Sequence, residues 1–524
     1  MRVFLKLVSK RTLILRYRKC FIIKTHEGEV IITSTRGGNA VNRPLQMNSF
    51  VHLQRTFFIL NEMRRIEMSR ETLESRTKMK KINGDSLTPI SIFRRLQGKQ
   101  KFLLESHEKH KDSGRYSFIG MDPLKTFIGK QNRLEEFTYE TNQTYIHEGD
   151  MLKNLKQLMP RLKTDSEFPF LGGAVGYIGY DAIREVTNKQ MDPADLPEVQ
   201  MNIYETVIVF DHKKNEVTIL RTEIGITETE MDFDEIIDQL LNGKEEKENS
   251  FTLGNFDSSL TQNEYETLVR KGQQLIQNGE VEQIVLSRKL TADFQGDAFS
   301  IYRRLRQKNP SPYMYYMEIG ESVIIGASPE SLIKVTDGHM VTNPIAGTRK
   351  RTKDPFENKR MEEELKEDPK EIMEHDMLVE LGQTDAKKVC TPETVHITKY
   401  QEVVHYEHVM HLVSELEGKL APGVHPLDAL FTCLPAGTVS GTPKEKAMDL
   451  IDDLEDMRRG IYGGAIGYVG FNGNIDFALT IRTMLIHEGK VYVQAGAGIV
   501  EKSNPTAEFM ETEHKAKSLI DIVS

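Results

Sequence analysis

The nonapeptide Gly172-Gly-Ala-Val-Gly-Tyr-Ile-Gly-Tyr180 returns almost unchanged as Gly463-Gly-Ala-Ile-Gly-Tyr-Val-Gly-Phe471. In both, β-branched and aromatic residues are interrupted by glycine, a pattern that suits a buried strand with another backbone close by. A single recurrence is not a solenoid array, so the echo predicts corresponding strands in two facing sheets. The expected fold class is α+β: two facing antiparallel β-sheets with helices packed outside.

The neighbouring segments read the same way. Val207–Phe210 and Val217–Leu220 bracket the polar stretch 211–216 as a hairpin. Further on, Ala465–Phe471, Asp476–Met484 and Lys490–Ala495 are joined by Asn472-Gly473 and Glu488-Gly489. These are strong turns, because glycine tolerates positive φ, and they predict an antiparallel meander.

The chain of 524 residues has room for two or three domains, and 38% apolar with 28% charged residues excludes a collagenous, wholly disordered or membrane-embedded protein. Its net charge of −9 is unevenly spread. Residues 1–78 carry 16 Lys/Arg against 6 Asp/Glu, so the remainder stands at −19. Such a body offers no basic face for nucleic acid, and no uncharged stretch reaches the length of a membrane span. Cys20, Cys390 and Cys433 are too few for a disulfide framework or zinc cluster and fit a reducing cytoplasm. Orderly patterning begins near Met79, so residues 1–78 read as a basic extension, upstream of the true start or disordered. Residues 79–250 and 251–524 are expected to form two halves divided at the charged Lys244–Ser250.

Two helix starts carry acids. Asp368-Pro369-Lys370-Glu371 places an N-cap, a first-turn proline and a glutamate in order, with Glu371 and Glu374 on one face. Asn504-Pro505 repeats the device, with Glu508, Glu511 and Lys515 on one face. Either pair alone suits a solvated helix start. Both together, converging in a cleft, would repel unless a hard divalent cation such as Mg2+ joined them. Near the C-terminus, Gly496-Ala497-Gly498 could offer backbone N–H groups to a carboxylate. Arg482, amid apolar neighbours in a strand-like run, needs an acidic partner, either a substrate carboxylate or an internal salt bridge. His411 is either a satisfied core histidine or an acid–base group.

Nine segments resemble the chorismate-utilising enzymes, and among them the anthranilate synthase component I (large-subunit) family: Asn309–Met314, Gly326–Glu330, Pro344–Arg349, Glu374–Val379, His408–Leu412, Pro435–Thr438, Tyr462–Ala465, Ile481–Thr483 and Gln494–Val500. The resemblance runs from about Leu87 to the C-terminus. It implies the chorismate-utilising enzyme fold and an enzyme that converts chorismate and ammonia to anthranilate and pyruvate, the first step of tryptophan biosynthesis. Carried over, Glu374 and Glu511 would ligate Mg2+ with support from Glu371 and Glu508. Glu330 would be the acid that helps the hydroxyl leave, and His411 would serve the elimination. Thr438, Gly347, Thr348, Tyr462, Arg482, Gly496, Ala497, Gly498 and Lys515 would hold chorismate.

Two positions discriminate within the family. Isochorismate and salicylate formers carry a water-activating lysine where this chain has Gln283, and most aminodeoxychorismate synthases carry a nucleophilic lysine where it has Ala346. No cysteine sits in a Gly-x-Cys-x-Gly elbow, so ammonia is expected from a separate glutamine amidotransferase small subunit, component II. The resemblance also implies a site for tryptophan as feedback inhibitor, built from Glu105, Ser106, Asn309, Pro310, Pro312, Tyr313 and Met314. One stretch departs from the pattern. Where the family usually has Asp-Leu-x-Arg-Asn-Asp-Leu/Ile-Gly-Arg, the chain reads Glu380-Leu-Gly-Gln-Thr-Asp-Ala-Lys-Lys388. Two alternatives therefore stand beside the main reading: aminodeoxychorismate synthase component I, and a catalytically weakened homologue that binds chorismate or tryptophan as a regulatory subunit.

Overall fold

The computed structural model describes five strands within residues 5–45 by backbone alone, and residues 73–523 apart from 75, 107–113, 165, 184–195, 225–232, 248 and 407–408. The chain divides into a unit Met1–Thr72 and a unit Leu73–Ser524. The first holds an antiparallel meander of five strands in sequence order, from Leu5–Ser9 to Asn39–Leu45.

In the second unit the described residues form a twelve-stranded and a thirteen-stranded sheet. The thirteen-stranded sheet is apolar on both faces because its strands alternate. Tyr315 and Met317 belong to a core shared with the twelve-stranded sheet's Ile333 and Phe477, whereas Met314 and Tyr316 pack with Phe299, Ile301 and Leu305 of the helix Ala298–Lys308. The expected hairpin forms from Thr206–Asp211 and Glu216–Glu223.

The echoed segments occupy neither of the expected facing positions. Gly173–Ile178 and Ala465–Gly470 are antiparallel neighbours in the twelve-stranded sheet, with Gly173 opposite Gly470 and Gly176 opposite Gly467. A Cβ on Gly173 would collide with the Val469 carbonyl oxygen, so glycine is what lets the two backbones meet. A glycine-interrupted apolar run specifies a strand buried on both faces but not its partner, and adjacent strands satisfy the same pattern as facing ones.

The meander is likewise corrected. Ile475–Leu479 ends in the twelve-stranded sheet and Thr483–His487 begins in the thirteen-stranded one, so Thr480–Arg482 crosses between sheets. Arg482 takes φ 50°, which breaks the strand.

Candidate active site

A second crossing runs beside the first. Ser322–Ser328 lies in the thirteen-stranded sheet and Ser331–Thr336 in the twelve-stranded one, with Pro329-Glu330 between them. The crossings are stitched together, since Leu479 N donates to Glu330 O at 3.0 Å and Ala327 N to Arg482 O at 3.1 Å. The main chain thus places an acid and an arginine on two adjoining crossings between the sheets. Thr438 Oγ1 donates to Glu330 Oε1 at 2.9 Å. Burial pushes the Glu330 carboxyl up to about 7, against the smaller lowering effects of Thr438 and Lys515. Burial lowers the pKa of Arg482, which among the described residues makes no ion pair and donates to Ser518 Oγ at 2.9 Å.

Both helix starts form as expected. Asp368 Oδ1 accepts from the Lys370 and Glu371 N–H groups, and Asn504 Oδ1 accepts from Ala507 N at 3.0 Å. Burial raises the Glu374 carboxyl, and the charges of Glu371 and Glu511 raise it further, so the two helices bring their acids together. Burial also raises Glu508. The four differ in their partners. Glu371 is paired with Arg349 at 3.1 Å and Glu511 with Lys515 at 2.7 Å, while Glu374 accepts from Gln283 Nε2 at 3.3 Å. Among the described residues no three His, Cys, Asp or Glu side chains close on one point. Mg2+ is ordinarily held by one or two carboxylates with water and substrate oxygens completing its shell. The all-oxygen donor set of Glu374 and Glu511, with charge to neutralise, fits that ion.

Gly496 and Gly498 lie in the strand Lys490–Ile499, opposite Ser287 and Val285. Ser287 N donates to Glu455 and Val285 N to Ser440 O, both away from this strand. By antiparallel alternation the polar groups of Gly496 and Gly498 then face the other edge, beyond the end of Thr483–His487. There Gly496 O accepts from Lys515 Nζ at 3.0 Å, and a Cβ on Gly496 would lie 2.7 Å from the Tyr462 hydroxyl. Ala497 does not join them. It is fully buried in a separate apolar cluster, paired with Leu286. His411 Nδ1 donates to Gly347 O at 2.8 Å, with Thr348 Oγ1 at 3.1 Å, which leaves Nε2 of the neutral ring as an acceptor. Burial holds its pKa below the usual range, and the charges of Arg482 and Lys515 act in the same direction. Gly347, at φ 66°, lies against the Glu371 carboxylate. His408, which shares the His411 motif, falls outside the described residues.

Residues 99–521 match the family model described as chorismate binding enzyme. The chain belongs to the chorismate-binding enzyme family. It is 38% identical over 457 residues to anthranilate synthase component 1 of Lactococcus lactis, covering 85% of this chain and 99% of that one. It is 40% identical over 469 residues to the protein of that name from Acetivibrio thermocellus, covering 84% and 94%. Among solved structures it resembles anthranilate synthase component I from Streptococcus pneumoniae, with 36% identity, a TM-score of 0.69, and coverage of 84% of this chain and 98% of that one. The chorismate-binding enzyme fold and an enzymatic action on chorismate follow.

In this chorismate-binding enzyme the departing segment 380–388 is tied down by its one retained acid. Asp385, 4% exposed, accepts from Lys444 Nζ at 2.6 Å and Lys388 Nζ at 3.0 Å, so the Pro369–Val389 helix stays anchored to the start of the helix Lys444–Leu454.

A second cavity of about 290 Å³ lies between the sheets, lined in part by Ser106, Tyr313, Met314, Gly467 and Asp476. Glu105 reaches its rim, but its carboxylate is taken by Arg306 at 2.8 Å and by the Tyr302 hydroxyl at 2.5 Å. Asn309, Pro310 and Pro312 stand outside the lining, where Asn309 caps the helix Ala298–Lys308 and the prolines turn into the strand Tyr313–Ile319. Sequence reasoning missed Asp476, which accepts from Tyr313 Oη at 2.8 Å. The signal was one acid inside the apolar strand Ile475–Leu479. The register row Leu104–Tyr315–Gly326–Thr483 joins this cavity to the Arg482 crossing. Among the described residues no helix is long and apolar enough to cross a membrane.

Proposed function

We propose that this chain is the large subunit of an anthranilate synthase, in which ammonia adds to chorismate at ring position 2, the 4-hydroxyl leaves, and pyruvate is eliminated. The observation that carries the reading is a pair of main-chain crossings bonded to each other, one carrying Glu330, whose carboxyl burial raises to about 7, the other Arg482, which makes no ion pair among the described residues, within a fold that acts on chorismate. Arg482 takes a substrate carboxylate bidentately, and Tyr462, Thr348 and the Gly496 and Gly498 amides orient the ring. Glu330 donates its proton to the departing hydroxyl. His411 Nε2 takes the proton released in the elimination. Glu374 and Glu511, supported by Glu371 and Glu508, hold Mg2+, whose contribution when bound is to neutralise carboxylate charge and orient it.

The nitrogen source follows from what the site lacks. Ala346 and Gln283 stand where relatives place reactive lysines, which supports attack by free ammonia. Cys390 and Cys433 are buried, with thiols pushed up to about 11 and about 12 by burial, so neither serves as the nucleophile of a glutaminase. Both are free, in keeping with a cytoplasmic protein. A glutamine amidotransferase subunit then supplies ammonia, and tryptophan in the second cavity inhibits. Asp476, which lines that cavity and accepts from Tyr313 Oη, is its ammonium partner there, shared with Lys334 at 3.7 Å.

Purified chain given chorismate, Mg2+ and an ammonium salt should develop anthranilate fluorescence. Formation of 4-amino-4-deoxychorismate, or chorismate left intact, would overturn the proposal.

A further inference from the structure

One buried and heavily bonded charge belongs to neither set of site residues. Arg459 is 3% exposed and forms a two-point pair with Glu455, at 2.8 Å through Nε and 2.7 Å through Nη2. Its remaining donors go to main-chain carbonyls: Nη1 to Val439 O at 2.5 Å and Nη2 to Val285 O at 2.7 Å. Its Cζ lies 5.7 Å from the Tyr462 ring centroid and 4.7 Å from that of Tyr180. Glu455 Oε1 accepts from both Ser287 N, at 2.7 Å, and Ser287 Oγ, at 3.0 Å.

Each contact lands one residue from a substrate group. Val439 follows Thr438, and Val285 and Ser287 are the register partners of Gly498 and Gly496. One ion pair therefore fixes three walls: the loop that presents Thr438 to Glu330, the Tyr462 ring, and the strand whose glycines face the cleft. Stability alone gives little reason to keep it, because a buried ion pair can often be replaced by apolar residues of similar volume without loss.

We propose that Arg459 and Glu455 are positioning residues of the chorismate site. They act through Val439, Ser287 and Tyr462 rather than by touching substrate. The proposal rests on the reading of this cleft as the chorismate site, which the wild-type chain tests separately by consuming chorismate or not.

The deciding variant is the double substitution Arg459→Met/Glu455→Met in the full chain, assayed by chorismate consumption so that the identity of the product does not enter. A positioning role predicts, in the folded variant, kcat at least tenfold lower and KM for chorismate raised severalfold, beside the lowered thermal midpoint that the unpaired Val439 and Val285 carbonyls and Ser287 amide bring. A folded double variant with kcat and KM within twofold of wild type would overturn the proposal. Should the double variant not fold, Arg459→Lys gives the answer. Lysine keeps the charge but cannot serve Val439, Val285 and Glu455 together, so the same tenfold loss is expected in a folded protein, and unchanged kcat overturns the idea.

Discussion

The hydroxyl of Thr438 lies 2.9 Å from Glu330 Oε1 and donates to it, which favours the ionised form of an acid that burial nonetheless raises to about 7. In the proposed reaction, departure of the chorismate hydroxyl takes that proton, so kcat should fall as pH rises through about 7. Thr438→Val removes a bond that favours the carboxylate and should move the fall to higher pH by up to about one unit. A kcat profile displaced to lower pH would contradict the assignment.

The same carboxyl makes stability depend on pH. Below 4.5, its ordinary value, Glu330 is protonated whether the chain is folded or not and contributes no pH dependence. Between 4.5 and about 7 the unfolded chain ionises while the folded one keeps the proton, so stability drops as pH rises. Above that the loss levels off at roughly 3 kcal/mol. Glu330→Gln should therefore be more stable than wild type in denaturant titrations at pH 8 but not at pH 4, and slower by about 10²-fold or more. An equal stability change at both pH values would show that the carboxyl is not perturbed.

The four glutamates should not behave alike. Glu374→Gln and Glu511→Gln are expected to abolish Mg2+-dependent turnover. Glu371 already pairs with Arg349, so Glu371→Gln should only raise the Mg2+ concentration for half-maximal rate, by roughly tenfold. Full activity in Glu374→Gln at ordinary Mg2+ would remove the proposed ligand.

Arg482 reaches its place by main-chain crossing and, among the described residues, donates its side chain to Ser518 alone. Arg482→Lys keeps the charge and loses the two-point geometry, so KM for chorismate should rise by about 10- to 100-fold. Ser518→Ala should give a smaller change in the same direction. An unaltered KM in Arg482→Lys would mean that the guanidinium does not meet a substrate carboxylate.

In the second cavity, Ser106→Ala and Asp476→Asn should each raise the tryptophan concentration for half inhibition by at least about tenfold. Glu105→Gln weakens an ion pair with Arg306 and should instead lower the thermal midpoint. Inhibition unchanged in Asp476→Asn would place the inhibitor elsewhere.

Much of this was legible before the structure because caps and turns are local. Asp368-Pro369 and Asn504-Pro505 start helices where they should, and the polar loop 211–216 closes its hairpin. What the sequence left open was partnership across distance. The apolar, glycine-interrupted pattern could not say that the echoed strands are neighbours, nor could the turn signals say that Leu479 and Thr483 belong to different sheets. Arg459 and Asp476 escaped for a related reason, since a buried charge announces itself only through partners that are far away in sequence, such as Val285 for the one and Tyr313 for the other.

The row Leu104–Tyr315–Gly326–Thr483 gives the molecule a beam. One end borders the cavity that holds Ser106, the other abuts Arg482, and the span is three strand spacings, about 14 Å. It is also braced side to side, because the Tyr315 hydroxyl lies 2.6 Å from Thr483 Oγ1. A wedge driven in at one end cannot be absorbed by a loop, since none intervenes. It must tilt the whole span or rupture ladder bonds, and either is felt at the guanidinium.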